Sequence, residues 1–197
     1  NAAVHVCERA GARVVYASLP FPIADAQQIV DAIVGAVTPR TRLVMVDHVT
    51  SPTALVFPVK AIASALAAQG IPLLIDGAHA PGMVPLDLEE LGRAGCTYYV
   101  GNLHKWVCAP KGAGFIWARG SGEGLRLAVI SHGANSPRQD RPRFQLEFDW
   151  VGTIDYTAWL CVPDALQAMA GMAPGGFPEV MAANRRLALE AAAMALI

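Results

Sequence analysis

Leu73-Leu74-Ile75-Asp76-Gly77-Ala78-His79 and Gly101-Asn102-Leu103-His104-Lys105-Trp106 decide how this chain is read. The first is an apolar run of strand length that stops at a carboxylate. The second is a strand end that passes into a loop presenting a lysine beside a histidine. Asp76 and Lys105 are 29 positions apart, about one strand–helix–strand unit, so both can stand on the same edge of one sheet.

Outward from these segments the pattern repeats. Residues 43–46 form another continuous apolar run, ending at Asp47-His48, and such runs suit strands covered on both faces. Asp25 is placed to cap a helix over 26–37, with Ile29, Ile33, Val34 and Val37 near helical spacing. A second helix is predicted over 58–69, closed by Gly70, and a short one over 86–91. Strands are predicted over 72–75, 97–100 and 112–118, and a short β-rich run over 13–18. Helices are predicted over 156–172 and 178–196, with a glycine-rich turn over 120–124. Alternating strands and helices with short connections predict an α/β sheet, mostly parallel, with helices on both faces. Functional groups then gather at the carboxyl ends of the strands, where His48, Asp76 and the 102–105 loop all lie.

The 197 residues make one sizeable core, 54% hydrophobic and 16% charged, with mean hydropathy +0.37. That excess of apolar residues fits a buried sheet or a subunit interface. A net charge of −1 gives no reason to expect a nucleic-acid or membrane-surface partner, and no apolar run has the length of a membrane span. Cys7, Cys96, Cys108 and Cys161 are scattered without zinc spacing, which predicts a reduced, cytoplasmic protein. There is no starting Met, and the last residues still read as helix. The expectation is a piece of a longer protein, cut at both ends.

Lys105 and Asp76 together suit one chemistry. A lysine that loses its proton can form an imine, and a carboxylate at a buried strand end needs a cationic partner. An imine-bound aldehyde and a protonated ring nitrogen are the two requirements of pyridoxal 5′-phosphate (PLP). Leu103 and Trp106 are the apolar neighbours expected to bury Lys105. His79 and His104 can donate to the cofactor's phenolic oxygen or phosphate. Each residue taken singly also has an ordinary reading, as a surface lysine, a helix-capping Asp or a structural His.

The motif set Ile75-Asp76-Gly77-Ala78-His79-Ala80, Asn102-Leu103-His104-Lys105-Trp106 and Pro110-Lys111-Gly112-Ala113-Gly114 resembles the class V aminotransferases, a family of PLP enzymes. His48-Val49-Thr50-Ser51-Pro52-Thr53-Ala54 and Phe148-Asp149-Trp150-Val151-Gly152-Thr153 are most similar to its isopenicillin N epimerase-like branch. The resemblance implies the large domain of a PLP-dependent transferase of fold type I: a seven-stranded, mainly parallel mixed sheet with flanking helices, incomplete at both ends. Residues 1–155 would be that domain, and 156–197 a helical segment leading toward a small C-terminal domain.

It further implies Lys105 as the Schiff-base lysine and Asp76 as the partner of the pyridine nitrogen. His79 would lie near the phenolic oxygen, Asn102 and His104 at the phosphate, and His48 and Thr53 beside the ring. Thr153 would reach the phosphate of a neighbouring subunit's cofactor, which implies a homodimer with shared sites. The implied reaction acts at the α-carbon of an amino acid or small peptide, by proton abstraction and epimerisation. A cysteine desulfurase or C–S lyase, an aminotransferase, and a non-catalytic α/β scaffold remain alternatives. Arg138, Arg141 and Arg143 could read a substrate carboxylate or form a solvated basic loop.

Overall fold

A computed structural model describes residues 2–122 and 124–195. Glu123, in the expected glycine-rich turn, and Leu196, the expected end of the last helix, lie outside the described residues. Four strands form one sheet in the order β1 (Val44–Asp47), β2 (Leu73–Gly77), β3 (Tyr98–Asn102) and β4 (Gly114–Ala118). The first three are parallel. β4 runs antiparallel to β3, because the 103–113 connection folds back as a loop and supplies no crossover helix.

Helices α1 (Ala2–Arg9), α2 (Ala26–Gly35), α3 (Val59–Ala67) and α4 (Leu88–Ala94) accompany the sheet. Asp25 caps α2, its Oδ1 accepting from the Gln28 amide at 3.0 Å. Asp87 does the same for α4 through the Glu90 amide at 2.8 Å. Val59, Ile62, Ala63 and Leu66 recur at helical spacing along α3, and all are buried. With Ile29, Val30 and Ile33 of α2 they cover one face of the sheet, whose contribution is Val46, Leu73, Ile75 and Tyr99.

Strand alternation sends the neighbours of these residues to the other face. Register aligns Met45 with Leu74 and Tyr98, and Asp47 with Asp76 and Val100. Met45 is exposed, and Leu74, Asp76, Tyr98 and Val100 are only half-buried. Among the described residues, helices therefore pack on one sheet face, where the sequence suggested two, and four strands stand where the full sheet was expected to have seven.

Two further expectations change. The β-rich run at 13–18 pairs with no strand, and Val15 and Tyr16 are exposed, since β-propensity without a partner strand does not make a strand. The single helix expected over 156–172 is divided into α6 (Thr157–Leu160) and α7 (Val162–Ala170), with Pro163 at the start of α7, where its missing N–H costs nothing. Before them, α5 (Arg143–Phe148) packs on a 3-10 turn, His132–Asn135; after them runs α8 (Gly176–Ala195). None of the described helices is long and apolar enough to cross a membrane.

Candidate active site

Asp76 is the penultimate residue of β2, on the half-open sheet face. Its Oδ1 accepts from the Ala78 amide at 2.9 Å, which fixes the carboxylate as the chain leaves the strand. The turn that follows, closed by Ala80 N–H to Gly77 C=O and Met83 N–H to Ala80 C=O, carries His79. Lys105 lies in the loop after β3, half-buried, with Nζ 2.9 Å from His79 Nε2. His79 and Lys105, 26 positions apart, thus meet at the carboxyl edge of the sheet, where β2 also presents Asp76.

Gly82 makes that meeting possible. Its φ is +83°, and a Cβ built there would come within 2.6 Å of the Trp106 backbone. The turn carrying His79 therefore lies directly on the loop carrying Lys105, backbone against backbone. Gly82→Ala is expected to cost about 1–3 kcal/mol through overpacking and backbone strain. A lowered denaturant midpoint, together with weaker cofactor retention, is the measurable result.

Asn102 ends β3 on the same sheet face as Asp76, aligned with Gly114 of β4. His104 is half-buried, and its Nδ1–H donates to the Ala113 carbonyl at 2.9 Å. With Nδ1 committed as donor, His104 can donate to a phosphate oxygen only through a second proton on Nε2, as imidazolium. Leu103 packs with Ala109, Ala113 and Ala158. Trp106, expected to bury Lys105, is instead 43% exposed, and its indole nitrogen is 3.4 Å from His79 Nδ1.

His48 and Thr53 are placed differently from this group. The His48 ring is buried, its Nδ1 2.9 Å from the Tyr99 hydroxyl, which belongs to the helix-covered core. Thr53 is exposed in the following loop, its Oγ1 2.6 Å from Thr50 Oγ1. Thr153 is exposed in the segment before α6 and takes no part in the hydrogen bonds that join Lys105, His79 and Trp106. Arg138 and Arg141 pair with Asp140 and Asp149, and Arg143 donates to the Gly133 and Ser136 carbonyls. All three are engaged within their own segment.

Burial lowers the His48 pKa from 6.5 to about 4. The folded value lies below the unfolded one, so His48 leaves stability intact above about pH 6.5 and erodes it as pH falls toward 4. The expected loss across that window is roughly 3 kcal/mol, and His48→Gln should flatten it in denaturant titrations at pH 7, 5.5 and 4.

The sequence reading named Asp47 only as a strand end. Register sets it beside Asp76 on the same face. Its carboxyl is held above the ordinary carboxylate range, first by burial, then by the Asp76 charge, with His79 acting the other way. Two adjacent carboxylates make this strand edge strongly electronegative. That is the field a protonated ring nitrogen would need.

The donor set fits PLP: a carboxylate for the ring nitrogen, a lysine amine for the aldehyde, an imidazole beside that amine, and polar side chains at 102 and 104. Comparison with known proteins agrees. The family model for aminotransferase class-V matches residues 1–126. Isopenicillin N epimerase of Amycolatopsis lactamdurans is 37% identical over 170 residues, covering 81% of this chain and 42% of that protein. A probable chloroplastic L-cysteine desulfhydrase of Arabidopsis thaliana is 36% identical over 166 residues, covering 81% of this chain and 34% of that protein. A solved structure of a C-DES mutant with glycine covalently linked to its PLP cofactor superposes with a TM-score of 0.64 at 25% identity, covering 86% of this chain and 44% of that one. The chain spans less than half the length of each of these relatives. It belongs to the aminotransferase class-V family and has the fold of type I PLP enzymes, and pyridoxal 5′-phosphate is the cofactor its strand-edge residues fit.

Proposed function

We propose that this chain carries the cofactor-binding edge of a PLP enzyme acting at the α-carbon of an amino acid or small peptide, with epimerisation as its reaction. The observation that carries this reading is the approach of Lys105 Nζ to His79 Nε2 at 2.9 Å on the edge that also presents Asp76. Bound there, PLP supplies an electron sink for negative charge developing at the substrate's α-carbon.

The chain's residues supply the rest. Lys105 Nζ holds the cofactor and is the amine available to take the α-proton and to return it. Asp76 keeps a proton on the ring nitrogen, and Asp47 beside it deepens the negative potential. His79 Nε2 steers Nζ, and its ring would lie near the phenolic oxygen. Asn102 and imidazolium His104 would hold the phosphate. Proton return to the opposite face of the α-carbon inverts that centre. Thr153, exposed in its segment, suits a role at the phosphate of a partner subunit's site, which makes the working unit a homodimer.

The likeness to an isopenicillin N epimerase favours epimerisation, and the likeness to a cysteine desulfhydrase favours a second reading, C–S lyase chemistry at the β-carbon. Cys108 and Cys161 give desulfurase chemistry little support: Cys108 is only three residues from Lys105, and Cys161 sits at a helix junction. NMR in D2O separates these outcomes. Exchange of the substrate α-proton with loss of chirality is expected. Sulfide or pyruvate release from cysteine would transfer the assignment to the lyase, and a keto-acid product to transamination. No exchange with any amino acid or peptide would remove the proposal.

A further inference from the structure

We infer that Trp106 is a positioning residue whose indole N–H fixes His79 in the tautomer that directs Nε2–H at Lys105 Nζ. The inference rests on reading Lys105 as the cofactor-bearing lysine, and it assigns a role that the motif itself does not.

Both ring nitrogens of His79 have a partner: Lys105 Nζ at 2.9 Å on Nε2 and Trp106 Nε1 at 3.4 Å on Nδ1. An indole nitrogen can only donate. His79 Nδ1 must therefore accept, so it carries no proton, and the proton of the neutral ring is on Nε2. Imidazolium is excluded, because both of its nitrogens donate. Nε2–H then points at Nζ, which completes the contact only by offering a lone pair. An amine has one and an ammonium group has none. A single proton arrangement satisfies both contacts, and in it Lys105 is the nucleophilic amine that attack on an aldehyde requires.

Packing supports the arrangement. Gly82 lets the turn that carries His79 lie on the Trp106 backbone, so the two rings come from segments in direct contact. Among the described residues, the carboxylates on this edge are Asp47 and Asp76, side by side in register. The indole N–H occupies the nitrogen that would take a second proton.

The test is the rate at which the full chain takes up PLP at Lys105, trapped with borohydride and mapped by mass, as a function of pH. Trp106 is 43% exposed, so Trp106→Phe leaves the core untouched. Trp106→Phe should slow uptake about fivefold near pH 7, the worth of one hydrogen bond, with the difference closing at alkaline pH. In a His79→Gln background, where no tautomer needs fixing, Trp106→Phe should have no further effect. Unchanged rates, an equal loss at every pH, or the same loss in the His79→Gln background would overturn the inference. Nitrogen-15 NMR of His79 without cofactor gives an independent readout. Protonation at Nε2 alone is expected in the wild type, and protonation at Nδ1 would overturn the assignment. If wild-type Lys105 takes up no PLP, the cofactor reading fails, and the NMR tautomer alone then decides the inference.

Discussion

Replacing Lys105 with alanine should abolish turnover while the chain still folds. The side chain is half-buried at a loop and, among the described residues, hydrogen-bonds His79 alone, so its removal leaves no hole in the core. The loss of proton transfer alone is worth about 10²–10⁴-fold in rate, and the loss of covalent attachment comes on top. The measurement is α-proton exchange beside far-UV circular dichroism and a thermal melt. Exchange at the wild-type rate in Lys105→Ala would mean that another group moves the proton. An unchanged melt with activity gone is the expected pair of results.

Asp76→Asn should separate binding from chemistry. Asparagine keeps the shape and can still accept from the Ala78 amide, so the turn that carries His79 survives. It loses the charge that, in the proposed function, holds a proton on the ring nitrogen. Leaving that cation without its partner costs about 3–5 kcal/mol, or roughly two to four orders of magnitude in rate. PLP should still become trapped on Lys105. A variant with full activity would show that Asp76 does not face the cofactor. Asp47→Asn should fall short of this effect, because Asp47 acts on the site through Asp76.

The strand ends were legible in the sequence because each apolar run stops abruptly at a polar residue, and that fixes where β1, β2 and β3 deliver their side chains. The parallel order followed from the helical spacing between them. Pairing was not legible. Asp47 joins the site only because register aligns it with Asp76, and a shift of one residue would have sent it to the opposite face. His48, one position further on, turns instead toward Tyr99 in the helix-covered core. The loop at 102–106 read correctly as the bearer of Lys105. The partnership of Trp106 with His79 depends on how two loops meet, and apolar character alone suggested burial. Gly82 carried a signal that went unused: a glycine next to a proline between two site segments marks a close backbone approach. The β-rich run at 13–18 misled because propensity says nothing about whether a partner strand is present.

The chain has three lysines, which makes the decisive measurement simple. Lys60 pairs with Glu90 on the helix side, and Lys111 is exposed beyond the site loop. The purified protein would be mixed with PLP, reduced with borohydride, digested and mapped by mass. The account predicts a yellow protein that bleaches on reduction and carries one adduct, on Lys105. A colourless protein, or an adduct on Lys60 or Lys111 with Lys105 unmodified, would contradict it.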